Sequence, residues 1–293
     1  MSIIRLNPEC ITCLLNKYLS KIPDGIDTEL KLTYMQKVLK LISDADWQKS
    51  APEITAEISE IQYKLLGIKD DFTEVKKYFN SLMLSLEAEI ENTIKTDKNP
   101  LNSAISYAML GNYIDFGAMQ NVDEEKLKKM LSDVHNISLD ETESKNLKTD
   151  LENAKKLIYI TDNCGEIVLD KLLIKEILKE YPHISAEVLV RGANVLNDAT
   201  VEDAKQVGLD TILPVIHNGN NIAGTCLSKI PQHISEKLEN ADVIIAKGQA
   251  NFETLRYCGK NIYYIFMCKC ELFANRFGVS KYSGMLLNDL RMK

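Results

Sequence analysis

Several features that would assign a chain quickly are missing. Basic residues are in the minority: 35 Lys and Arg stand against 42 Asp and Glu, a formal net charge of -7. No local basic stripe offsets that balance, so nucleic acid held by counterion release is not an expected partner. The opening MSIIRLNPECITC lacks the basic, apolar, then small-residue order of a signal peptide. Apolar runs such as IYYIFM are strand-sized, well short of the roughly 18 residues that announce a membrane span, so no membrane is expected either. Seven cysteines in 293 residues are too few, and odd in number, for a disulfide scaffold. Together these absences predict a cytoplasmic, reducing setting. There is also no GxGxxG, no GxxxxGK[ST] and no GxSxG, which removes the usual dinucleotide, P-loop and serine-hydrolase readings. None of the four histidines lies near a candidate nucleophile; His217 is the best placed, and a half-exposed loop residue is its plainer reading.

What is present is an ordinary globular composition, 45% hydrophobic and 26% charged, which excludes a disordered or collagen-like chain. The length is about twice that of a typical domain and predicts two. Residues 1–154 read as an all-helical domain. Apolar positions recur at three and four over 8–22, 30–42, 52–65 and 72–94, with shorter helical patterns at 101–110, 124–134 and 140–153. Pro52 and Gly67 sit where a helix start and stop tolerate them.

Near Lys155 the period changes. LIYIT (157–161), AEVLV (186–190), TILPVI (211–216), DVIIA (242–246) and NIYYIFM (261–267) are short, β-branched runs bounded by polar residues. Helical patterns at 166–180 and 200–207 lie between them. Strand, helix, strand at this spacing predicts a Rossmann-like, mostly parallel α/β domain over 155–293.

Ligands in open α/β sheets sit beyond the carboxyl ends of the strands. The polar residues there are Asp162, Asn163 and Glu166 after the first strand, Arg191 and Asp198 after the second, and Lys247, Gly248, Asn251 and Glu253 after the fourth. Two carboxylates and an amide oxygen suit Mg²⁺ or Mn²⁺, with phosphate oxygen or water completing the shell. Lys247 with Gly248 adds a cation and a close backbone approach suited to an anion. Asp162 and Asn163 are also ordinary helix-capping types; the capping reading weakens because three strand ends carry such groups, and caps need neither a lysine nor a second carboxylate. Arg191 reads equally as a surface ion pair, and Glu166 or Glu253 as a base or as a residue favouring a helix N-terminus.

Taken together, TDNCGEIVLD, VRGANVLNDATVEDA, AKGQANFE, GNYIDFG at 111–117 and PECITC near the start resemble the damage-control phosphatase family, and within it the small prokaryotic branch carrying an N-terminal Cys-x-x-Cys. The resemblance covers most of the chain. It implies a metal-dependent phosphatase acting on small phosphorylated metabolites, among them sugar phosphates and damaged cofactor precursors. By motif it places the metal on Asp162, Asn163 and Asp198, assigns the phosphate-meeting lysine to Lys247, and brings Asn112 and Asp115 to the pocket. The metals it implies are Mg²⁺, Mn²⁺, Co²⁺ or Ni²⁺. The nucleophile, water or a carboxylate such as Asp162, stays open. The bottom-up chemistry agrees, because phosphoryl transfer is mostly positioning and charge stabilisation.

Two other readings compete. The same strand ends would serve a non-catalytic protein that binds a nucleotide or metabolite phosphate. Cys10 and Cys13, three apart at a helix head, suit two buried apolar cysteines, a redox pair or half of a zinc site. Cys164 lies inside the proposed metal turn, which makes its oxidation an expected route to inhibition.

Overall fold

Helix starts follow the capping chemistry of the sequence. The computed structural model describes residues 5–113 and 124–292. Its first three helices are α1 (Pro8–Ser20), α2 (Thr28–Ser43) and α3 (Ala51–Leu66). Asp27 accepts the amides of Glu29 and Leu30 at the head of α2. At the head of α3, the Ser50 amide and hydroxyl both donate to the Glu53 carboxylate at 2.8 Å. Gly67, at φ 67°, ends that helix in the left-handed conformation glycine adopts without strain. Leu14, Tyr18, Tyr34, Val38, Ile42, Ile54 and Ile58 form the core of these three helices. They make up one compact unit, Met1–Asp71.

The second unit, Phe72–Lys293, holds everything else. It opens with α4 (Thr73–Thr96), α5 (Pro100–Tyr113), α6 (Glu124–Ser132) and α7 (Glu141–Asn153). The strands are β1 (Lys156–Ile160), β2 (Ser185–Val190), β3 (Val215–His217), β4 (Val243–Lys247), β5 (Ile262–Met267) and β6 (Gly284–Asn288). Between them run α8 (Glu166–Glu180), α9 (Val201–Gln206), α10 (Gln232–Glu239), α11 (Gln249–Leu255) and α12 (Glu271–Phe277). The sheet order is β3-β2-β1-β4-β5-β6, parallel except that β6 runs against β5. Alternate residues of each strand enter two cores. Tyr159, Val188, Ile245 and Ile265 face the one that includes α4, α5 and α8. Ile160, Leu189, Ala246 and Tyr264 face the one under α10, α11 and α12. Covered on both faces, the strands are apolar almost throughout, as buried parallel strands are.

The α/β architecture therefore matches the sequence pattern, and two details differ from it. The secondary-structure change falls at β1, yet the compact units part at Asp71/Phe72. Helices of 73–153 sit with the sheet because their apolar faces, among them Phe79, Met83, Leu86, Ile105 and Ala108, share one core with α8 and the strands. The third strand is also shorter than the run TILPVI. Leu209–Thr211 forms a 3₁₀ turn, and the ladder starts only after Pro214, whose carbonyl accepts the Val188 amide at 2.9 Å. Proline has no N–H to offer a strand interior.

Candidate active site

The chain order turns around between β1 and β4, and that switch point is where open sheets leave a crevice. Ile160 pairs with Leu189 on one side and Ala246 on the other. Carried two residues on, that register sets Asp162 between Arg191 and Gly248. The segment after Leu196 then returns between the extended ends of β1 and β2. Asn197 accepts the Cys164 amide at 2.8 Å, the Ala199 amide reaches the Asp162 carbonyl at 2.7 Å, and the Ala199 carbonyl takes the Arg191 amide at 2.9 Å. An isolated bridge pairs Asn163 with Asp198. Asp162, Asn163 and Asp198, 36 residues apart at most in sequence, thus meet through backbone pairing.

Their side chains are buried and densely bonded. Asp162 Oδ2 accepts from Asn112 at 2.9 Å and from Asn163 at 2.7 Å. Arg191 donates through Nε to Asp198 at 2.6 Å and through Nη2 to Asp162 at 3.4 Å. Its Nη1, buried with the rest of the guanidinium, has no hydrogen-bond partner among the described residues. Arg191 is thus no surface ion pair. Glu166, fully buried, accepts from Asn112, Asn163 and Lys247. Asn112, near the end of α5, also accepts the Met267 amide at 3.1 Å.

Lys247 is placed differently from the expectation for a phosphate-meeting lysine. It is fully buried and donates to the Ala108 carbonyl at 2.8 Å, Glu166 at 2.6 Å and Asp170 at 2.7 Å. An ammonium has three N–H groups, and all three are committed. Burial alone would lower its pKa, but Asp170 and Glu166 outweigh that and push it up to about 12. Lys247 is therefore an internal, permanently charged strut.

Gly248, at φ 81°, lies so close to Asp162 that a Cβ on it would fall 1.9 Å from Oδ2. Asn251 donates to the carbonyls of Thr161 and Lys247 and accepts from Thr225, so it ties strand ends together. Glu253 accepts from Gln249 at 2.7 Å. His217 is exposed at the end of β3. Asp115 lies outside the described residues. Cys164 is buried, and burial with the nearby Asp203 pushes its thiol up, which suppresses the thiolate that oxidation needs. The expected inhibition through Cys164 oxidation is thus not supported by its surroundings.

Sequence reasoning missed three supports. Asp170 follows Glu166 by one helical turn, so the pair was legible as one face of α8. Asn80 of α4 accepts the Gly165 amide at 2.7 Å and donates to Asp203 at 2.9 Å, beside a buried Lys76–Asp203 pair at 2.6 Å. Asn218 accepts the Gly192 amide at 2.8 Å. No spacing rule announces contacts of this range.

The donor set suits a divalent cation. Among the described residues, four buried carboxylates (Asp162, Glu166, Asp170, Asp198) face two buried cations, Lys247 and Arg191, an imbalance of two negative charges once all four are ionised. Desolvation, Asp198 and Glu166 push Asp162 up to about 8, and burial also raises Asp198. Oxygen donors with uncompensated charge are the ligands hard cations take. Among the described residues, no three of His, Cys, Asp and Glu are gathered around one point, so an ion here would rely on the Asn163 amide beside the two aspartates.

Comparison with known proteins agrees. The family model for the damage-control phosphatase ARMT1-like domain matches residues 6–285. A damage-control phosphatase of Pyrococcus horikoshii is 31% identical over 283 residues, covering 95% of this chain and 96% of that protein. One from Archaeoglobus fulgidus is 30% identical over 285 residues, covering 94% and 96%. The crystal structure of a DUF89 family protein from Pyrococcus horikoshii superposes with a TM-score of 0.79 at 29% identity, covering 97% of this chain and 99% of that one. With the match spanning nearly its whole length, the chain belongs to the damage-control phosphatase ARMT1-like domain family.

Proposed function

We propose that this protein is a divalent-metal-dependent phosphatase that hydrolyses small phosphorylated metabolites, sugar phosphates or damaged and excess phospho-metabolites among them. The observation that carries the reading is the convergence of Asp162, Asn163 and Asp198 at the β1/β4 switch point, where among the described residues four buried carboxylates face two buried cations. A divalent ion held there by those three residues would supply Lewis-acid polarisation of a phosphoryl oxygen and a fixed template. Mg²⁺ or Mn²⁺ suits the oxygen donors best, with Co²⁺ or Ni²⁺ as alternatives.

The chain's own residues do the rest. Asn112 and Asn163 hold Asp162 in one orientation through their amides. Arg191 keeps Asp198 and Asp162 together, and its Nη1, without a partner among the described residues, is a buried donor for a phosphoryl oxygen. Lys247 fixes Glu166, and through it both asparagines, without touching substrate. Gly248 allows substrate and strand backbone to approach Asp162 without a side chain between them. A cytoplasmic location fits seven cysteines that are all free, and among the described residues no helix is long and apolar enough to cross a membrane.

The test is phosphate release from a generic aryl phosphate ester by EDTA-treated protein, before and after addition of Mg²⁺, Mn²⁺, Co²⁺ or Ni²⁺. Metal-restored turnover is expected. Binding of a nucleotide in calorimetry with no release under any metal would transfer the assignment to a non-catalytic binding protein.

A further inference from the structure

Two buried side chains of α4 stand between the segments that carry Asp162, Asn163 and Asp198. Lys76 and Asn80 lie one helical turn apart, on one face of α4, and are buried. The Asn80 carbonyl oxygen accepts the Gly165 amide at 2.7 Å; Gly165 follows Asn163 by two residues. The Asn80 amide nitrogen donates to Asp203 Oδ1 at 2.9 Å. Asp203 Oδ2 accepts the amide and the hydroxyl of Thr200, each at 2.8 Å, and Thr200 follows Asp198 by two residues. One continuous path, Gly165 to Asn80 to Asp203 to Thr200, therefore joins the turn after β1 to the return after β2. Lys76 closes it from the side, 2.6 Å from Asp203 Oδ2 and 3.3 Å from Asn194 Oδ1 in the loop that leads to Asp198.

Thr200 and Asp203 also form a capping box for α9, but a capping box needs no partner from another helix. Here the carboxylate is 5% exposed and its lysine 3%. Burying such a pair gives up hydration that the mutual attraction seldom outweighs, so it is a poor source of stability; its better use is to specify one arrangement. The helix that supplies Lys76 and Asn80 is itself fixed to both segments. Lys171 of α8 donates to Glu87 of α4 and to the Val207 carbonyl just after α9, each at 2.7 Å, and Lys175 of α8 pairs with Glu91 of α4. Among the described residues neither Lys76 nor Asn80 is hydrogen-bonded to Asp162, Asn163 or Asp198, so their action on the site runs through the backbone.

Building on the reading of Asp162, Asn163 and Asp198 as metal ligands, we infer that Asn80, Asp203 and Lys76 are positioning residues. They set the separation of the two ligand-bearing segments, and through it the size of the cation the site prefers. Mg²⁺ demands near-ideal octahedral geometry at about 2.0–2.1 Å, whereas Ca²⁺ accepts flexible shells at about 2.3–2.6 Å. A fixed separation favours the more demanding ion, and a loosened one gives up that preference.

The test is calorimetric titration of the EDTA-treated, dialysed full-length protein with Mg²⁺ and, separately, with Ca²⁺, with the thermal midpoint measured on the same samples. Losing an outer partner of a metal site weakens metal binding about 10- to 100-fold, so Asn80→Ala is expected to raise the Mg²⁺ Kd by that factor. The Ca²⁺ Kd is expected to rise less, narrowing the ratio between the two ions. Leu151→Ala is the control for stability alone: Leu151 is fully buried in α7 just before β1 begins, at the end of the strands away from the crevice. Its cavity lowers the midpoint and should leave both Kd values unchanged. Thr200→Val keeps the side chain's shape and removes only the hydroxyl bond to Asp203; it is expected to shift the ratio in the same direction by a smaller amount, and it decides the matter by the same criteria if Asn80→Ala does not fold. Unchanged Kd values overturn the inference. So does an equal rise for both ions, or a comparable rise in Leu151→Ala, because either marks general loosening. Absence of ester turnover in the unsubstituted protein would refute the phosphatase reading alone, since metal affinity is read without turnover; failure of that protein to bind either ion would overturn both.

Discussion

Replacing Gly248 by Ala is the smallest change that should disable the site. Two effects add. The backbone at φ 81° and ψ 156° lies in a region essentially confined to glycine, so any side chain there costs on the order of 1–3 kcal/mol. The new methyl would also sit 1.9 Å from Asp162 Oδ2 and 2.1 Å from its Cγ. Ordinary contact begins near 3.4 Å, so the carboxylate must withdraw by about 1.5 Å. Displacing a catalytic group by about 1 Å can cost about 100-fold in rate. Asp162 is held by Asn112, Asn163 and Arg191 and has little freedom to give way. We expect kcat/KM for an aryl phosphate to fall by about 100-fold or more, with weakened metal binding and a thermal midpoint lower by several degrees. Gly208→Ala is the control: its φ is 72° and nothing lies within 4 Å of an added Cβ, so it takes backbone strain without a collision and should keep full activity. Gly248→Ala with turnover and metal affinity close to those of the unsubstituted protein would refute this placement of Asp162.

Other expectations follow from the same charges. Lys247→Met should be strongly destabilising, about 3–5 kcal/mol, because it strands Glu166 and Asp170 in the core; denaturant unfolding measures it, and a near-neutral result would contradict the strut role. The metal-free protein should lose stability as pH rises. Asp162 moves from 3.8 in the unfolded chain up to about 8 in the fold, so between those values the folded state holds a proton that the unfolded state has released, and stability falls as that proton is lost. Urea midpoints of EDTA-treated protein near pH 5 and near pH 8 test this, with Asp162→Asn expected to flatten the slope and a rising midpoint expected under no version of the argument. Metal binding should displace the same proton, so affinity should increase over that pH range; isothermal titration in buffers of different ionisation enthalpy would reveal a proton count of zero if this is wrong. Asn80→Leu removes the acceptor for the Gly165 amide and the donor to Asp203, and should reduce both stability and turnover by loosening the turn that carries Asp162.

Much of this arrangement was legible because it is local. Helices at 8–20, 28–43, 51–66 and 73–96 follow from apolar spacing and caps, and the strand ends followed from the change of period near 155. The reading of Asp162, Asn163 and Asp198 as one cluster needed only the rule that parallel strands end on the same side of the sheet. What escaped was set by long-range packing. Lys247 was assigned to phosphate from its motif, while the three acceptors that consume it come from α5 and α8. Asn80 lies 85 residues from the glycine it holds. The short helices α10, α11 and α12 carry too few turns for a clear period, and β6 follows a turn-rich stretch that gives it no flanking helix pattern. Pro214 was the one misleading residue in a strand-like run, and its missing N–H accounts for the shortened β3.

The most direct test of the central claim is a side-by-side measurement of metal content and phosphate release for the unsubstituted protein, Asp162→Ala and Asp198→Ala. The account expects both variants to stay folded, to lose bound metal and to lose turnover by about 1000-fold or more, the scale of removing a principal charge-stabilising group. Retained turnover in both would contradict it, and would move the chemistry away from the β1/β4 crevice.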